Sequence, residues 1–270
     1  MPPATHRFPW DWGLALRSCL YYTLAFNLTF FIQELFLVLP KALTPGLRPT
    51  LFHNNHRWEG EHAVAALFQG TGAVATVLVA LLCAWLLRRG VDRSQDARLL
   101  LLWMTWCGLF MALPQVAIGA LSPASDVGMA MGYLRLGDTT RTIAGVLSLA
   151  AVPFVALWLL RPLLGIATTA AQVDTAAART RLVFLVATVP LLVGTLLIVP
   201  FRLPREWLEV LLPPAWVALL GLPWLQAFAW RVRNVTPGAL HAWPMAVPVI
   251  ATLFLLLAFQ LVLRPGIPFY

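Results

Sequence analysis

One acid stands inside an apolar segment near the N-terminus: Glu34, in NLTFFIQELFLVLPKALTPG. It lies six residues before Pro40, so at 1.5 Å of helical rise it sits roughly 8–9 Å inside that end of the segment. An ionised carboxylate at such depth is costly and faces a bundle interior, a water-filled cavity or a partner, which makes it a candidate functional acid. Asn27 stands seven residues earlier and shares its helix face. Gln69 and Gln115 fall at a similar depth, about six residues inside two later apolar segments, measured from the same side. Two readings of this layer compete: a polar pocket, or an interhelical hydrogen-bond network that holds three helices together.

A loop rich in metal-binding side chains follows Glu34. FHNNHRWEGEH carries His53, His56 and His62 beside Glu59 and Glu61. Neutral imidazoles and carboxylates are the groups that hold Zn, Cu or Fe. His53 and His56 are three apart, which a single helical turn brings to one face. A divalent metal at His53, His56, His62 and Glu59 is therefore one expectation. An interfacial loop with Trp58 in the headgroups is the other. Further along, YLRLGDTTR places Asp138 where it would either cap a helix or reach towards Glu34. The candidate catalytic acids are Glu34 and Asp138. The candidate pocket comprises Asn27, Gln33, Glu34, Gln69, Gln115 and Arg141.

The helix around Gln33-Glu34-Leu35-Phe36-Leu37 resembles the one that carries HExxH in site-2-type (M50) intramembrane metalloproteases. A small-residue stretch, Gln69-Gly70-Thr71-Gly72-Ala73, follows where that family has a Gly-containing segment. Leu136-Gly137-Asp138 stands near the place of its later Asp, with the Asp-Gly order reversed. The two His positions of the motif read Gln33 and Leu37. HExxH chemistry needs both imidazoles on zinc and the Glu on water. The resemblance thus implies an M50-like fold without the proteolytic zinc site, suited to scaffolding or substrate binding. Two alternatives stand beside it: a transporter of a small molecule or ion with Glu34 as the coupling acid, and a membrane metalloenzyme or assembly factor built on the His-rich loop.

These residues must be positioned by an all-α, polytopic bundle. Apolar residues make up 60% of the 270-residue chain and charged residues 11%, where soluble domains carry about a quarter charged. Long apolar runs recur without the period-two alternation of barrel strands. They predict about seven spans, at 13–39, 63–87, 99–121, 142–164, 182–201, 207–230 and 244–263, in a single membrane domain. Prolines inside them predict kinks, tolerated where neighbouring helices satisfy the freed carbonyls. No internal repeat of the transporter kind is visible.

The formal charge of +8 is spread over span ends such as Arg88–Arg89, Arg231 and Arg233. No basic patch with interleaved aromatics exists, which excludes nucleic acid as a partner. The bilayer, and other membrane proteins, are the partners expected. Eleven basic residues fall on one side and eight on the other, so the N-terminus is expected inside, in a bacterial inner membrane. Cys19, Cys83 and Cys107 lie in apolar runs without a CxxC pair and read as buried hydrophobes. NLT at Asn27 lies within a span and NVT at Asn234 precedes Pro, so neither reads as a glycosylation site.

Overall fold

A computed structural model describes residues 10–203 and 207–270; Arg7 and Arg205, which enter the charge count, lie outside them. Among the described residues seven helices are long and apolar enough to cross a membrane. They are span one (Trp12–Ala42), two (Ala65–Arg89), three (Gln95–Leu121), four (Asp138–Leu164), five (Ala176–Arg202), six (Glu209–Arg231) and seven (Ala246–Leu263). The protein is a multi-pass, all-α membrane bundle.

Several helices begin before their apolar run. Span three starts at a Ser94 cap whose side chain accepts from Ala97 N–H, and span five at Thr175, which accepts from Ala178 N–H. Capping satisfies backbone donors that hydropathy does not register. Span four opens with Asp138 in its first turn, favoured there by the helix dipole. Span five departs from α-geometry in two π-helical stretches, Phe184–Thr188 and Pro190–Gly194. Pro190 has no N–H to give to the carbonyls one turn earlier, which loosens the first of these stretches.

Span three is the centre of the bundle, with 72% of its core window buried against 28% for span seven. It carries Trp103, Trp106 and Phe110 at helical spacing, all at most 1% exposed. Trp106 stacks on Phe110 with ring centroids 4.1 Å apart, and its Nε1 donates to Val217 O at 2.8 Å. Trp103 Nε1 donates to Ser18 Oγ at 3.0 Å, and Ser18 in turn donates to Val186 O. Buried indoles thus find acceptors on two neighbouring spans, and Ser18 carries the chain of hydrogen bonds on to a third. Gly108 lets span two approach closely: a Cβ there would stand 2.8 Å from that of Ala80 and also crowd Thr76 O.

One end of the bundle is covered by a small sheet. Strands β1 (Arg48–Leu51), β2 (His56–Glu59) and β3 (Ile267–Pro268) pair antiparallel in the order β2-β1-β3. The stretch expected as an irregular loop is therefore a hairpin, closed by Phe52 N–H donating to Asn55 O at 2.8 Å. The stretch 122–141, also expected as a loop, contains a short helix, Asp126–Tyr133, capped by Ser125.

Candidate functional site

The hairpin decides which loop residues reach Glu34. Strand side chains alternate faces, and in β2 His56 and Trp58 turn inward while Arg57 and Glu59 are exposed. His56 Nδ1 lies 2.8 Å from Glu34 Oε2. The spacing of three that would align His56 and Glu59 on a helix sets them on opposite faces of a strand. His53 is buried in the hairpin turn, and exposed His62 accepts from Val64 N–H in its own segment. Among the described residues no three of His, Cys, Asp and Glu are grouped to hold a metal.

Behind His56 lies Lys41, on the Glu34 face one heptad further along span one and fully buried. Its Nζ donates to Leu37 O (2.7 Å) and to Gln69 Oε1 (2.8 Å), and stands 4.7 Å from the Trp58 ring centroid. Gln69 sits at the bend where the short helix Ala65–Phe68 meets Thr71–Arg89. Gly72, a turn later, lets Gln33 pack against the backbone there. Gln69 Nε2 donates to Asp126 Oδ1 at 3.0 Å, so the short helix completes the cluster.

These contacts constrain the protons. An ammonium donates only, so Gln69 must present its oxygen to Lys41. That same oxygen lies 3.0 Å from His56 Nε2, which favours a hydrogen on this nitrogen over the longer 3.4 Å contact from Lys41 Nζ. Both ring nitrogens are engaged, so His56 has no lone pair to offer a metal in this arrangement.

A cavity of about 800 Å³ opens beside the cluster, bordered by Glu34, His56 and Asp126, the amides of Gln33, Gln69, Gln115 and Asn54, and Arg202 and Glu209. Gln115 Nε2 donates to Gln33 Oε1 (2.8 Å) and to Met111 O (3.1 Å). Phe30, one turn before Glu34, lies under Arg202 with 4.2 Å from Cζ to the ring centroid. Arg202 itself donates to the carbonyls of Val210 and Glu209. Glu34 spends one carboxylate oxygen on His56, and Asp126 one on Gln69. Their second oxygens accept no hydrogen bond among the described residues. Burial, then the neighbouring Glu34 charge, pushes Asp126 up from 3.8 to about 6, against the opposing pull of His56 and Lys41.

Other expected members stand apart. Asn27 turns back to donate to Thr23 O at 2.8 Å, a local bond that keeps it off the cavity wall. Arg141 donates to Leu136 O at 2.9 Å, and Asp138 is exposed in the first turn of span four. The acid that joins Glu34 is Asp126. Its signal in the sequence is Ser125-Asp126 ahead of a small apolar run, a helix-start pattern. Sequence reasoning passed over Lys41; the signal that points to it is its spacing of seven from Glu34.

Neither a known protein family nor any characterised protein or solved structure matches this chain.

Proposed function

We propose that the protein binds a small cationic organic molecule in this cavity, entering from the sheet-covered face, and couples its occupancy to protonation of the Glu34–His56–Asp126 cluster. The observation that carries this reading is the pair of carboxylates at the cavity wall, each with one oxygen committed within the protein and one unclaimed. An amine or amidine fits two converging acceptors, and the surrounding amides supply orientation. Beyond the cavity the bundle is closed by Tyr22, Phe26, Trp103 and Trp106, all at most 1% exposed, so the reading is of a one-sided site. Movement of ligand to the other face would need those aromatics to part. The M50-like arrangement implied by the helix around Glu34, which lacks the zinc-binding His pair, is less favoured. Gln33 is turned to Gln115, Leu37 is buried in packing, and Asp138 does not border the cavity.

The test is a melting panel on the purified chain in detergent at pH 7.5, using small amines, amidines and matched carboxylates. At least one cation is expected to raise the melting temperature. Glu34→Gln should weaken that compound's binding about tenfold or more, the scale of one charged hydrogen bond lost. Stabilisation by carboxylates and not by cations would reject the reading.

A further inference from the structure

The opposite end of the bundle holds a second recess, of about 610 Å³, lined by Arg179, Arg231, Arg233 and Trp230. It lies where span five begins and span six ends. Arg179 is held by three carbonyls: Nη1 donates to Val173 O (2.8 Å) and Asp174 O (3.2 Å), and Nη2 to Trp230 O (3.2 Å). Asp174 thus offers its backbone and not its carboxylate. Arg161, on span four, donates to Arg233 O at 3.3 Å. Arg231 Cζ stands 4.9 Å from the ring centroids of both Phe228 and Trp230. The ion pairs among the described residues are Arg17–Asp96 and His56–Glu34, so none of these four arginines is neutralised by a carboxylate.

We propose that this recess holds the phosphate of an anionic phospholipid headgroup. Three guanidiniums, those of Arg179, Arg231 and Arg233, border one concavity and repel each other less with an anion among them, and planar N–H forks suit phosphate oxygens. A lipid is the source favoured by position. The recess is at the level where two spans leave the apolar region, and Trp224 and Trp230 on span six, 38% and 51% exposed, put amphipathic rings there. Basic pockets between spans take up headgroups by this combination of charge and depth. The site is separate from the Glu34 cavity and stands whether or not that cavity binds a cation.

The experiment is native mass spectrometry and thermal melting of the full chain in zwitterionic detergent, with phosphatidylglycerol or phosphatidylcholine added at equal mole fraction, and inorganic phosphate in a third arm. The wild type should retain phosphatidylglycerol at least about fivefold over phosphatidylcholine, with a preference that falls as salt rises. The double variant Arg231→Gln/Arg233→Gln, two exposed side chains, should lose most of that preference while melting normally without lipid. The corresponding double Lys variant should keep much of it. Equal retention of the two lipids by the wild type, or full preference in the Gln variant, would overturn the proposal. Inorganic phosphate stabilising the protein as strongly as phosphatidylglycerol would overturn the assignment to lipid.

Discussion

Span one carries a buried acid–base contact at each end, and the two are built differently. Near its start Arg17 pairs with Asp96 of span three, which is 0% exposed. Asp96 Oδ1 also accepts from Tyr21 Oη at 3.1 Å, and Oδ2 accepts from Trp243 N–H at 2.6 Å. Both oxygens are spoken for, and the cluster fastens the segment after span six to spans one and three. Near its other end Glu34 pairs with His56, but leaves its second oxygen without a hydrogen bond among the described residues and borders a cavity together with Asp126. Acid–base contacts of similar burial thus divide into a closed one that holds helices and an open one with valence to spare. Satisfaction of the second oxygen, more than depth or charge, separates the closed acid from the open ones in this bundle.

The largest effect expected follows from the closed pair. Asp96→Ala leaves Arg17 buried without its partner and frees Trp243 N–H, and should cost about 3–5 kcal/mol. Denaturant unfolding in mixed micelles measures it. Glu34→Gln should cost far less, because the side-chain amide N–H can donate to His56 Nδ1. If the two substitutions destabilise equally, the contrast between the ends fails.

A smaller loss is expected at the bridge inside the open cluster. Gln69→Leu removes the acceptor of Lys41 and His56 and the donor to Asp126. A buried polar group left unsatisfied costs about 1–3 kcal/mol, and the cavity's water limits the loss to the lower part of that range. The same variant frees His56 from its favoured Nε2–H, so the nitrogen-15 shifts of the His56 ring should move. Unchanged shifts would mean that Gln69 does not set the tautomer.

The spans were legible because hydropathy and length dictate them. Among the largest boundary differences are the starts of spans three and five, where the caps Ser94 and Thr175 extend a helix past its apolar run, and span one continues through Pro40 to Ala42. The shared depth of Glu34, Gln69 and Gln115 was legible too, since helical rise converts spacing into depth, and all three border the cavity. What spacing could not supply was backbone type in the polar connections. Read as a helical turn, His53 and His56 converge; in the hairpin, alternation sends His56 inward and Glu59 out. Read as a loop, 122–141 offers Asp138; as a loop with a helix inside it, it delivers Asp126. Asn27 shared the Glu34 face by periodicity, but its side chain is taken by a carbonyl one turn back, a competition that periodicity does not register.

The finest distinction between the two ends is in their response to pH. Asp126 binds its proton more tightly in the folded protein, with a value of about 6 against an ordinary 3.8. The stabilisation it brings is fully present below 3.8 and is lost as pH rises through 6, so this acid makes stability decline across that window. Asp126→Asn should remove that decline, seen as a flatter melting temperature between pH 4 and 7, and should leave behaviour above pH 7 nearly parallel to the wild type. Cation binding should run the other way in the wild type. It strengthens as Asp126 ionises near pH 6 and loses that step in the Asn variant. A binding profile flat through pH 6 in the wild type would show that Asp126 stands beside the cavity without contributing to it.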